Sequence, residues 1–249
     1  MNLRAQLDDH GFAIAARVVP DDQLPAIRRV FEYTLAGHPG RRDGLDHRDI
    51  RELAASAALC ALVTPVLGAS AFAYRATLFD KTRAANWLVA WHQDLVVPVR
   101  DRVDAPGYGP WSHKRGIWYV QPPAEVLAGI AAVRVDLDGS TPDNGALRVL
   151  PGSHRHGVLA PARIAGFSRD VSSVTCVVPP GGALLMRPLL LHASSRAGTV
   201  GHRRIVHLEF AACELPGGPA FRDAVGAARA IEGSDDRTWD ETGTSSQRR

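Results

Sequence analysis

The chain has 249 residues, 45% of them hydrophobic and 22% charged, with a formal net charge of +3 at neutral pH. That is the balance of a globular protein in water, and the length suits one large domain. No apolar run approaches the roughly 20 residues that cross a bilayer, and the arginines are scattered, so neither a membrane span nor a nucleic-acid platform is expected. The opening MNLRAQLDDHGF has no basic-then-apolar export pattern, which makes the cytoplasm the expected location. Cys60, Cys176 and Cys213 lie far apart without a Cys-x-x-Cys pair and read as free thiols. Of the 29 basic residues only Lys81 and Lys114 are lysine. In a chain that otherwise uses arginine, these mark places where a compact ammonium and a guanidinium are not equivalent.

In chain order the sequence predicts helix, strand and helix first. GFAIAARVV (Gly11 to Val19) is a short apolar strand. After Pro20, Asp21 or Asp22 can cap a helix that places Leu24, Ile27, Val30, Phe31 and Leu35 on one face. A polar loop from Gly37 to Asp49 leads to IRELAASAALCALVTPVLGA, read as two short helices broken near Pro65. From Ala71 onward the pattern changes to short apolar runs, such as FAYRATLF, WLVAWHQDLVVPV, GIAAVRVDL and RRIVHLEFA, separated by Gly, Pro, Asp and Ser. Such spacing predicts a mainly β chain, a jelly roll buttressed by N-terminal helices. One domain over 1–231 is expected, with a polar and flexible tail from 232 to 249. The aromatic-rich stretch 97–123 interrupts the strands and reads as a lid loop.

If WLVAWHQDLVV is a strand, its period of two places His92 and Asp94 on one face and Gln93 on the other. An imidazole and a carboxylate converging there are two members of the two-His, one-carboxylate set that holds non-haem Fe(II) with positions left open. The spacing recurs in HRD (His47 to Asp49), where Asp49 reads as a helix cap, and in HLE (His207 to Glu209). HLE could bind a metal, but nothing distal completes it, so it reads as structural. Only HQD has a distant histidine in a matching setting, His192 in LLLHASS. An iron centre that activates dioxygen needs two further electrons, which 2-oxoglutarate can supply. The far carboxylate of that co-substrate, inside a barrel, would need an arginine partner. Arg203 and Arg204 follow His192 by eleven and twelve positions, and alternation lets only one of them face inward.

WHQDL, DNGALRVLPGSHRHGVL (Asp143 to Leu159) and LLLHASSRAGTVGHRRIVHLEF together resemble the phytanoyl-CoA dioxygenase family of Fe(II)- and 2-oxoglutarate-dependent oxygenases. The likeness runs from about Gly11 to Phe210, and Asn-Gly-x-Leu followed by Pro-Gly-Ser-His is its most specific part. It implies a double-stranded β-helix, with His92, Asp94 and His192 as catalytic iron ligands and Arg203, rather than Arg204, on the tail of 2-oxoglutarate. It further implies O2 as the oxidant and hydroxylation of an unactivated C–H bond in a small molecule. Lys81 resembles a basic residue on an early strand of the family, and with Ser194 it is a candidate contact for the co-substrate. His154 and His156, in the Pro-Gly-Ser-His turn, are expected to be structural. Related halogenases carry a small residue where this chain has Asp94, so hydroxylation is favoured over halogenation.

Trp111, Lys114, Trp118 and Gln121 are candidate substrate contacts in GPWSHKRGIWYVQPP. An acyl-CoA substrate fits poorly, because no basic platform for the coenzyme's phosphates is evident. The chain is expected to act on a small molecule as a monomer or homodimer, with no nucleic-acid or membrane partner. Two other readings stay open: a cupin-like oxygenase that does not use 2-oxoglutarate, and a binding module that keeps the metal site without turnover.

Overall fold

A computed structural model describes residues 2–35, 38–198 and 201–226, so the tail expected from 232 to 249 lies outside the described residues. In chain order the elements are α1 (Leu3–His10), β1 (Phe12–Ala15), α2 (Leu24–Leu35), β2 (Gly40–Arg41), α3 (Arg48–Ala54), α4 (Ala57–Leu67), β3 (Phe72–Lys81), β4 (Val89–His92) and β5 (Val97–Val99). They continue with β6 (Trp111–Lys114), β7 (Ile117–Val120), α5 (Ala124–Ala128), β8 (Ala131–Asp136), β9 (Leu147–Val149), α6 (Pro161–Asp170), β10 (Val174–Thr175), β11 (Ala183–Met186), β12 (His192–Ser194) and β13 (Arg203–Ala211).

The helix α2 buries the predicted face of Leu24, Ile27, Val30, Phe31 and Leu35. It starts one residue after a turn that Gln23 closes on the Pro20 carbonyl, so neither Asp21 nor Asp22 adjoins its first residue. The Ala/Leu-rich stretch does form two helices, but they part at Ala55 and Ser56. Ser56 caps α4 by accepting from the Leu59 N–H, whereas Pro65 sits within the last turn of that helix, where few later bonds depend on it. Asp49 is likewise not a cap. His47 occupies that position, and Asp49 lies in the first turn, where its charge favours the helix N-terminus. Among the described residues no single helix is long and apolar enough to cross a membrane.

Two antiparallel sheets form the jelly roll, ordered β1-β11-β8-β13-β3-β2 and β10-β9-β12-β4. Alternation on the larger sheet sorts the side chains by face. Val133, Val135, Val206 and Leu208 join the helices in one apolar core, while Ala132, Leu184 and Met186 meet Leu147 and Val149 of the smaller sheet in another. The inward positions of β3, β8 and β13 are also where the chain buries Lys81, Arg134, Asp136, Arg203, His207 and Glu209. The barrel is therefore apolar at one part of its interior and charged at another.

The stretch 97–123 is not irregular throughout. Its strands form a third sheet, ordered β5-β7-β6, and β6 and β7 join through Arg115 and Gly116, at φ 51° and 77°. Two residues at positive φ match the twist of a tight hairpin, which the Arg-Gly pair permits. Val97, Val99 and Val120 pack with Phe72, Tyr74 and Phe221 beneath it.

Candidate active site

His92 and His192 are paired directly across β4 and β12, so their rings share one side of the smaller sheet with centroids 4.1 Å apart. The strand ends at His92, earlier than the sequence pattern suggests, and Asp94 follows in a turn held by its own N–H on the Pro188 carbonyl at 2.9 Å. The carboxylate still reaches both rings: Oδ1 is 3.8 Å from His92 Nε2 and Oδ2 is 3.6 Å from His192 Nε2. One donor atom from each of the three residues lies within 4.8 Å of the others, the spacing of a shared metal ion. His92 is partly open to solvent and His192 is buried.

Neighbouring elements hold each donor in place. His92 Nδ1 donates to the Ala90 carbonyl at 2.8 Å and His192 Nδ1 to the Leu190 carbonyl at 2.9 Å, which leaves both Nε2 lone pairs free for a metal. Gln93, beyond the end of the strand, is a clamp that sequence reasoning did not foresee. Its amide donates to the Gly157 and Leu189 carbonyls and accepts from the Leu159 N–H. Ser153 of the Pro-Gly-Ser-His turn is fully buried and accepts from the Leu191 N–H beside His192, while His154 reaches the Asp8 carbonyl and the His156 ring rests on Phe167. The turn thus acts on the site through packing, in agreement with the structural expectation for its histidines.

Next to the triad lies a cluster of buried cations. Lys81, only 2% exposed, donates to Ser194 Oγ at 2.9 Å and to the Ser195 carbonyl at 2.6 Å. Ser194 in turn donates to the Gly145 carbonyl, which also accepts from Arg203. Gly145 stands at φ 76°, and a Cβ there would lie 2.5 Å from the Ser195 carbonyl oxygen, so the Asn-Gly signature is a steric requirement of this crossing. Arg203 is buried and Arg204 is turned to the outer face, where it makes a two-point pair with Asp138. The alternation argument therefore holds. Arg134, from the inward face of β8, completes the cluster and was not singled out in the sequence, although a lone arginine inside the apolar run AAVRVDL was its signal.

These charges determine what the pocket can accept. Burial, with Arg203 and Arg134 nearby, pushes the Lys81 ammonium down to about 8, and burial with Arg134 pushes Arg203 down to about 10. The nearest buried carboxylate, Asp136, is itself pushed up to about 6 by burial and is hydrogen-bonded to Ser140. Arg203 Nε is buried without a partner. That orphaned donor and the uncompensated positive charge favour an anionic guest. At the triad, burial pushes His192 down to about 4, and it opposes ionisation of Asp94, but His192, His207 and His92 outweigh it and hold the carboxylate well below its usual range. At neutral pH Asp94 is thus a carboxylate and His192 a neutral imidazole, the states a divalent metal requires of such donors.

The sequence matches the family model described as Phytanoyl-CoA dioxygenase over residues 7–205, most of the chain. The chain belongs to the phytanoyl-CoA dioxygenase family. It is accordingly a non-haem Fe(II)- and 2-oxoglutarate-dependent dioxygenase, and its histidine, carboxylate and cation arrangement fits both groups. No curated protein matches the sequence. Solved structures of similar fold include EctD from S. alaskensis with 2-oxoglutarate and 5-hydroxyectoine, at 20% identity and a TM-score of 0.64 over 84% of this chain and 74% of that one. The epimerase SnoN in complex with Fe3+, alpha ketoglutarate and nogalamycin RO has 16% identity and a TM-score of 0.62 over 84% and 82%. The carbocyclase SnoK from nogalamycin biosynthesis has 13% identity and a TM-score of 0.66 over 89% and 87%. At these identities the likeness is one of fold.

In this member of the phytanoyl-CoA dioxygenase family the four candidate substrate residues lie on or beside the β6–β7 hairpin. Trp111 and Trp118 meet edge-on at 6.4 Å and pack against the core below the third sheet. Lys114 is exposed near the hairpin turn, and the Gln121 backbone closes the segment onto Gly109 and Pro110. Arg102 stands over the Trp111 ring at 5.7 Å, and the His113 ring lies 4.5 Å from Trp118.

Proposed function

We propose that the chain hydroxylates an unactivated C–H bond of a small-molecule metabolite, with His92, Asp94 and His192 holding Fe(II) and Lys81, Ser194 and Arg203 holding the tail carboxylate of 2-oxoglutarate. The observation that carries this reading is the triad of metal donors beside a cluster of buried cations whose Arg203 Nε has no partner. When bound, the iron and 2-oxoglutarate supply the oxidising power for O2-dependent attack on the C–H bond, with succinate and CO2 as co-products.

The protein's own contribution is placement. The Nδ1 bonds of His92 and His192 to backbone carbonyls fix the rings, and Gln93 fixes the segment between them and the Pro-Gly-Ser-His turn. Arg203 and Lys81 define one end of the pocket, so the co-substrate enters in one orientation. The partly open His92 marks the side from which substrate approaches, with Trp111, Trp118, Lys114 and Gln121 as the proposed substrate contacts. A small-molecule substrate is supported by the ligands of EctD and SnoN.

The test is anaerobic addition of Fe(II) and then 2-oxoglutarate, followed by the visible charge-transfer band of the chelated complex. A band in the wild type that needs 2-oxoglutarate and is weakened in Asp94→Ala and Arg203→Ala is the expected result. Iron bound at the triad without any band would overturn the co-substrate assignment and favour the cupin-like alternative or a binding module. Product analysis over candidate metabolites then tests hydroxylation itself.

A further inference from the structure

Among the described residues His207, in the HLE motif, completes no triad of its own, yet it lies against this one. β13 runs between β3 and β8, with His207 opposite Thr77 on one side and Arg134 on the other. Its ring is buried, with Phe79 edge-on at 6.4 Å. His207 Nε2 is 3.8 Å from Asp94 Oδ2, the oxygen that also faces His192.

The three imidazoles around Asp94 differ in where they carry a proton. In His92 and His192, Nδ1 faces a backbone carbonyl, which can only accept, so the proton is on Nδ1 and Nε2 is a bare lone pair. For His207 the situation is reversed. Its Nδ1 lies 3.5 Å from Arg134 Nη1, and a guanidinium can only donate, so Nδ1 is the lone pair and the single proton of the neutral ring sits on Nε2. That proton points toward Asp94. His207 is thus unsuited to bind a metal through Nε2 and suited to hold the carboxylate that does.

We propose that His207 is a positioning residue for the metal centre: Arg134 fixes its tautomer, and its Nε2–H donates to Asp94 Oδ2, so that Asp94 offers one oxygen to the metal and keeps coordination positions open. The separation of 3.8 Å is wider than a hydrogen bond, and bonds of this kind at catalytic centres tighten once the ligands are in place. The inference rests on the proposed assignment of the triad as the metal site, but it concerns the metal alone and is independent of 2-oxoglutarate.

The test uses Co(II), which tolerates air and reports its ligand geometry in its visible spectrum, with the full chain and the variants His207→Leu, His207→Asn, His207→Gln and Asp94→Ala. Glutamine places an amide nitrogen where Nε2 stands, whereas asparagine reaches only to the position of Nδ1. The expected result is Co(II) binding about 10-fold weaker in the Leu and Asn variants, with an altered spectrum, and near wild type in the Gln variant. A packing role would not separate Gln from Asn in this way, and far-UV circular dichroism confirms that each variant is folded. Wild-type affinity and spectrum in the Leu and Asn variants, or a Gln variant no better than Leu, would overturn the proposal. If Asp94→Ala also keeps full affinity, the triad assignment fails with it; if Asp94→Ala loses the metal while the His207 variants do not, only the role of His207 fails.

Discussion

Replacing Arg203 with methionine separates what the residue does for folding from what it does for binding. Burial and the neighbouring Arg134 press the guanidinium down to about 10, and at roughly 1.4 kcal/mol per pH unit the charged side chain costs the folded protein ~3 kcal/mol. The cost is fully present at neutral pH, because a folded-state value below the unfolded one penalises the protonated form at every pH under about 10. Methionine removes that cost and gives up the hydrogen bond to the Gly145 carbonyl, worth ~1 kcal/mol. The ligand-free variant should therefore be more stable by ~2 kcal/mol, or about 4–8 °C in Tm for a chain of this size. On the proposed assignment the same change leaves the co-substrate carboxylate with Lys81 but without its guanidinium partner, a loss of ~3 kcal/mol or about 100-fold in affinity. Differential scanning calorimetry with and without 2-oxoglutarate, beside an anaerobic charge-transfer titration, measures both effects. A variant less stable than wild type that still binds 2-oxoglutarate with unchanged affinity would refute the reasoning.

Because Lys81 holds its proton only up to about pH 8, affinity for 2-oxoglutarate should fall as the pH rises through that value, and Lys81→Arg should flatten the decline in the same titration. Gln93→Leu leaves the Leu159 N–H and the Leu189 carbonyl without partners, so urea denaturation should show a loss of ~3 kcal/mol with an unchanged slope. Arg204→Ala breaks the outer-face pair with Asp138, which keeps Arg28; it should cost ~1 kcal/mol and leave iron and 2-oxoglutarate binding as in wild type. Weakened co-substrate binding in that variant would contradict the facing of β13.

The parts of the site legible in the sequence were those set by short-range rules. Period-two alternation allowed only one of Arg203 and Arg204 to face inward, the family resemblance selected Arg203, and His192 stood out as the distant histidine in a matching setting. Position along the strand was harder, since β4 ends at His92 and Asp94 is aimed by a turn that only the Pro188 contact specifies. Arg134 and His207 were not read as site residues because their roles depend on strands distant in sequence being placed side by side in one register. The strands within 97–123 were not legible because they are short and one contains proline, whereas Arg115 and Gly116 alone carried the hairpin signal.

The strand order gives the site two mechanical halves. β13, which carries Arg203 and His207, is flanked on both sides in the larger sheet, whereas β4, which carries His92, is an edge strand bonded only to β12. Edge segments open more readily than central ones, so the donor set bridges a firmly held wall and a fraying rim. A metal ion shared by His92 and His192 would act as a staple across that rim, and amide exchange along Val89 to His92 should slow on metal binding while exchange in the middle of β13 hardly changes. Access to the site would then be governed by how often the unstapled edge lifts, a property that this fold can tune in β4 without disturbing the strand that carries Arg203 and His207.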